Sequence, residues 1–123
     1  MTEQSRDPDD NQVLLRGLLA VEPRTRTLPS GDELCSFRLT VPRPESSYGR
    51  ARSDSIDCAT TRVGARRTIG RCTPGERIEV AGSLRRRFWR GAAGAPTSRY
   101  EVEVSRVRRL VTSSKPRGAA TGR

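Results

Sequence analysis

The chain has 123 residues, enough for one compact domain and too few for two ordinary ones. Leu, Ile, Val and Phe supply only 23 of them, and 24 basic against 14 acidic side chains leave a net charge of +10, so a polyanion is the first partner to expect. No apolar run approaches the roughly 18 residues that span a bilayer, His is absent, no Gly-x-x-x-x-Gly-Lys phosphate loop occurs, and Cys35, Cys58 and Cys72 are too widely spaced for a zinc motif.

These absences exclude the membrane and disfavour an enzyme, a metal site or a cofactor. The polar, acidic start is no signal peptide. A cytoplasmic protein with reduced, packing cysteines is expected. Met1 to Asp10 carries four acids and one Arg and reads as a disordered segment, which leaves 23 basic and 10 acidic side chains in residues 11–123.

From there the apolar residues recur with a period of two. Val13, Leu15, Gly17 and Leu19 share one face of a first strand, and Leu28-Pro29-Ser30-Gly31 makes a turn. Cys35, Phe37, Leu39 and Val41 share the face of a second strand, and Ile56 and Cys58 begin a third. Ala65, Ile69 and Cys72 then recur at helical spacing until Pro74-Gly75 stops the pattern. A fourth strand places Ile78, Val80, Gly82, Leu84 and Phe88 inward. The fifth places Tyr100, Val102 and Val104 inward, after which Val107 shifts the phase and predicts a bulge. Gly17 and Gly82 fall mid-strand on the inward parity, where a coiled barrel strand needs room to bend. The glycine-rich Gly91 to Pro96 links the last two strands, and Ser113 to Arg123, without a large apolar side chain, reads as a disordered basic tail.

Strand, strand, strand, helix, strand, strand is the order of an all-β, five-stranded OB-fold barrel with one short helix between strands three and four. The predicted organisation is an acidic segment over 1–10, the barrel over 11–111 and the tail over 112–123.

Outward positions of the fourth strand include Arg85, Arg87 and Trp89. Guanidinium groups alternating with an indole suit a single strand of nucleic acid: cations for phosphates, a flat ring for a base. Trp89 could instead cover the barrel end, although Phe88 on the opposite parity fits the interior better. Arg43, Arg50 and Arg52 with Tyr48 make a basic loop after the second strand, Tyr48 being either a base platform or a loop anchor. The candidate contact set is completed by Arg90 and by Arg16 and Arg38 on the first two strands. Since Arg outnumbers Lys by 23 to 1, any single Arg can equally be a surface Lys replaced. Asp54 and Asp57, lacking metal-ligand company, are read as limiting strand-pairing errors or as partners for Arg.

Asn11 to Leu19, Pro23, Arg26, Pro29-Ser30-Gly31 and Phe37-Arg38-Leu39 resemble the first two strands of the bacterial single-stranded DNA-binding protein family. Ile56-Asp57-Cys58, Pro74-Gly75 followed by Ile78, Val80, Gly82, Leu84 and Arg87, and Glu101 to Val104 are similar to its later strands. The resemblance covers about residues 11–111 and implies sequence-tolerant binding of single-stranded DNA in replication, recombination or repair, near the nucleoid. It also implies a homo-oligomer, with outward Leu14 and Leu18 as the candidate interface unless the N-terminal segment covers them.

Two departures follow from the resemblance. Positions where the family carries rings look like Ser55 and Thr61, so Arg contacts are expected to take a larger share of binding. Five phosphate contacts on a single strand give a log-log salt slope near −3.5, at roughly −0.7 each. The ending Lys115 to Arg123 lacks the family's acidic terminal peptide, as in a short accessory paralogue. An RNA-binding OB module, or a subunit that pairs with a full-length sister protein, are the alternatives.

Overall fold

The computed structural model describes residues 8–45, 48–91 and 93–111. The expected tail over 112–123, and the N-terminal segment up to residue 7, lie outside the described residues. The elements run β1 (Val13–Leu19), β2 (Arg24–Thr27), β3 (Glu33–Pro42), β4 (Ser53–Thr60), α1 (Val63–Gly70), β5 (Arg77–Arg90) and β6 (Pro96–Arg109).

The sheet order is β1-β5-β6-β4-β3-β2, and a further antiparallel pairing of β1 with β3 at Leu18↔Thr40 and Leu19↔Leu39 turns it into a ring. A short parallel seam, Cys58↔Val102 and Ala59↔Glu103, joins β4 to β6. Five strands therefore make the barrel, as the period-two pattern predicts. The sixth, β2, lies on the far edge of β3 and was not expected. Its sequence Arg-Thr-Arg-Thr is exposed throughout, so no apolar alternation marks it.

Alternate residues fill the barrel. Leu39, Ile69, Ile78 and Val80 are fully buried with Leu19, Phe37, Val102 and Val104 around them, each contributing about 1.5–3 kcal/mol by leaving water. At Gly17 an added Cβ would run into the Thr40 carbonyl, and at Gly82 into that of Glu103. Glycine at these inward positions is what lets the strands cross tightly enough to close the ring. The bulge predicted before Val107 is present: Ala81 pairs with Arg106 but Gly82 with Val104. Ser105 is left over, and its hydroxyl donates to the Ala81 carbonyl at 3.1 Å. The extra residue keeps both Val104 and Val107 in the core.

The helix α1 buries Ala65 and Ile69, and packs against β6. It has no side-chain N-cap, so tertiary docking holds it. Cys35, Cys58 and Cys72 are free and buried, and burial pushes the Cys58 thiol up to about 12. No helix among the described residues is long and apolar enough to cross a membrane.

Three core assignments, Leu84, Phe88 and Tyr100, are corrected. Phe88 has inward parity, yet is 70% exposed, because β5 and β6 continue past the barrel wall as a free hairpin. From Leu84 onward the even positions no longer face an interior, and Leu84 and Tyr100 are exposed for the same reason.

Candidate nucleic-acid interface

The β5–β6 hairpin has two faces set by strand pleat. On the odd-numbered face Arg85, Arg87 and Trp89 of β5 meet Arg99, Glu101 and Glu103 of β6, with Arg87 directly opposite Arg99. Cross-strand and diagonal neighbours of opposite charge pair there. Arg85 Nε donates to Glu103 at 2.9 Å, and Arg87 Nε to Glu101 at 2.7 Å. The Arg85 hydrogen bond holds the Glu103 carboxyl below its usual range. The run of β5 arginines contains no acid, but the next strand supplies one to each of these two.

This face forms one wall of an open cleft of about 1100 Å³. The second wall is β2 with the segment leading into it, and the floor is the outer face of β3 and β4. Five arginines line it: Arg24 and Arg26 from β2, Arg38 from β3, Arg87 from β5 and Arg99 from β6, with Glu22, Asp57 and Glu101 as the acids. Asp57 accepts from Arg38 at 3.2 Å and from Arg99 at 3.1 Å, linking floor to hairpin. Arg24 and Arg26 have no ion pair among the described residues. Trp89 is 41% exposed, with the Arg99 guanidinium carbon 5.0 Å from its ring centroid.

Of the residues chosen from sequence, Arg38, Arg87 and Trp89 converge in this cleft. The others lie elsewhere. Arg16 donates to Glu79 at 2.7 Å on a different barrel face, where Arg108 donates to the same carboxylate at 3.0 Å. Arg43 chelates Asp54 through Nε at 3.0 Å and Nη2 at 2.7 Å, and its Nη1 donates to the Tyr48 carbonyl at 3.4 Å. Tyr48 is 93% exposed, so its ring is not packed among the described residues; Arg50 and Arg52 are exposed in the same loop. Arg90 donates to the Gly94 carbonyl at the hairpin turn, and Arg85 sits beyond the cleft margin. Leu14 and Leu18 are exposed on β1, uncovered by any described segment.

Sequence reasoning missed Arg24, Arg26 and Arg99. The alternation of Arg with β-branched Thr over 24–27 was a usable strand signal. Nothing local marks Arg99, whose place depends on hairpin register. Asp54 and Asp57 bind arginines as expected. Among the described residues no cluster of three metal-ligating side chains forms.

Cations from four strands around a half-exposed indole can hold a phosphate chain while a base stacks on the ring. The model of the single-strand binding protein family matches residues 10–110. A single-stranded DNA-binding protein of Oceanobacillus iheyensis is 29% identical over 109 residues, 88% of this chain and 68% of that one. Single-stranded DNA-binding protein B of Bacillus subtilis is 29% identical over 111 residues, covering 89% of this chain and 96% of its own. The solved structure of a Plasmodium falciparum SSB in complex with ssDNA superposes with a TM-score of 0.71 at 21% identity, over 87% of this chain and all of that one.

Proposed function

We propose, because the chain belongs to the single-strand binding protein family, that it holds single-stranded DNA without regard to sequence, in the cleft between β2 and the β5–β6 hairpin. The observation that carries this reading is Trp89, half-exposed beside Arg99 in a cleft lined by arginines from four strands. Bases stack on the indole, and phosphates take Arg24, Arg26, Arg38, Arg87 and Arg99. Neither contact reads base edges, so binding tolerates sequence. The chain is a binding protein and not an enzyme, and its work is coating strands exposed in replication, recombination or repair, in the cytoplasm at the nucleoid. Arg16, Arg43, Tyr48, Arg50, Arg52, Arg85 and Arg90 extend the contact surface for a longer strand.

Trp89 is the only Trp in the chain, so its fluorescence reports this wall alone. Titration with oligothymidylate at low salt quenches it, and unchanged emission would sink the reading. Phosphate and stacking contacts do not read the 2′-hydroxyl; competition with RNA of the same sequence ranks the two, and a preference for RNA would move the function. Exposed Leu14 and Leu18 on β1 support a subunit contact, with a copy of this chain or a paralogue. Sedimentation of a Leu14→Glu, Leu18→Glu variant as a smaller species than the parent is the expected result.

A further inference from the structure

The even-numbered face of the hairpin presents a second cluster. Phe88 is 70% exposed and Tyr100 58%, and Arg86 stands between them with its guanidinium carbon 5.3 Å from each ring centroid. Its Nε and Nη2 donate to the Ser98 hydroxyl at 3.2 and 3.1 Å, which fixes the guanidinium in place. A guanidinium against one side of each ring orients both rings and leaves their other sides open.

The two hairpin faces differ in charge. On the odd face Glu103 and Glu101 neutralise Arg85 and Arg87. The even positions, Leu84, Arg86, Phe88 and Arg90 with Ser98 and Tyr100 opposite, include no carboxylate, and Arg86 has no ion pair among the described residues. Two open rings around an unneutralised cation fit a polyanion that also carries flat apolar surfaces. A two-fold contact with a second copy would instead bring the same cations together.

Resting on the single-strand reading above, we propose that Phe88 and Tyr100, oriented by Arg86, form a second base-stacking platform on the opposite face of the hairpin from Trp89. Phe88 also borders the cleft, so the two surfaces are continuous, and one strand leaves the cleft over the hairpin to stack its next bases there.

The test compares the full chain with a Phe88→Ala, Tyr100→Ala variant. Each is titrated with labelled oligothymidylate and with an abasic oligonucleotide of equal length, which keeps the phosphates and lacks the bases. The variant loses at least about tenfold in affinity for oligothymidylate, and less than about twofold for the abasic strand. Unchanged oligothymidylate affinity with Trp89 quenching intact overturns the platform and leaves the cleft reading standing; absence of quenching in the parent sinks the cleft reading itself. Equal losses on both strands make the face a backbone contact, and an altered sedimentation coefficient without loss of affinity makes it a protein contact; either overturns the proposal. Photocrosslinking of the unmodified chain to 5-iodouracil oligonucleotide needs no variant: adducts on Phe88 or Tyr100 are expected, and adducts confined to other residues overturn it.

Discussion

Arg99 lies over Trp89, its guanidinium carbon 5.0 Å from the ring centroid, while its Nη1 donates to Asp57 at 3.1 Å. The indole is thus oriented from one side in a residue that stays 41% exposed, as a stacking surface must be. Trp89→Ala should weaken oligothymidylate binding by about 1–3 kcal/mol, the usual worth of one stacked base, while Trp89→Phe retains most of it. Anisotropy of a labelled oligonucleotide checks this, and an alanine variant as tight as the parent would remove Trp89 from the site.

Glu101 lies in the cleft beside a phosphate-seeking cation, and its carboxylate occupies Arg87 at 2.7 Å. An incoming phosphate must displace that carboxylate. Glu101→Gln should therefore tighten binding at low salt and steepen the log-log salt slope by about 0.7, one further phosphate contact on a single strand. The parent slope should be shallower than five free arginines would give, since Arg38, Arg87 and Arg99 are already paired. Affinities measured across a salt series decide both points.

The contrast between Arg87 and Glu101 also marks what a sequence can and cannot disclose. Barrel strands were legible because their apolar residues recur at every second position, and the displaced parity of Val107 after Val104 announced a bulge between them. The chain's local charge was legible too, but its pairing was not: Glu101 follows Arg87 by fourteen positions and meets it only through hairpin register. Phe88 misled for a related reason. Parity says which side of a strand a residue takes, not where the strand outruns the barrel. Arg24 and Arg26 were passed over because β2 buries nothing, so hydrophobic periodicity had nothing to detect.

Barrel closure at β1 depends on the absence of a side chain at Gly17, whose Cβ would meet the Thr40 carbonyl. Backbone cannot yield there without opening the β1–β3 seam, so Gly17→Ala should cost about 1–3 kcal/mol or more. Gly64 in α1 is the opposite case, with nothing near its missing Cβ. Gly64→Ala should stabilise by about 0.4–1 kcal/mol, chiefly by restricting the unfolded chain. Thermal melts should move in opposite directions, by about 4–8 °C per kcal/mol for a domain of this size.

Glu79 ties three strands together and sets an acid limit on the fold. Its side chain on β5 is buried and accepts from Arg16 of β1 at 2.7 Å and from Arg108 of β6 at 3.0 Å. The Arg108 hydrogen bond, then that of Arg16, holds the carboxyl below its ordinary value. A carboxylate whose folded pKa is depressed adds stability that is complete above the unfolded pKa, about 4.3 for Glu, and is lost as pH falls through the folded value. Denaturant unfolding from neutral to acid pH should accordingly show stability flat above about pH 5 and falling below about pH 4. Glu79→Gln should lower stability at neutral pH, because Arg16 and Arg108 lose their counter-charge, and should make the acid limb shallower. Glu76, Asp54 and Glu103 are depressed by their own arginine and backbone hydrogen bonds, so part of the limb survives. An acid limb unchanged in the Gln variant would mean that Glu79 titrates alike in the folded and unfolded chain.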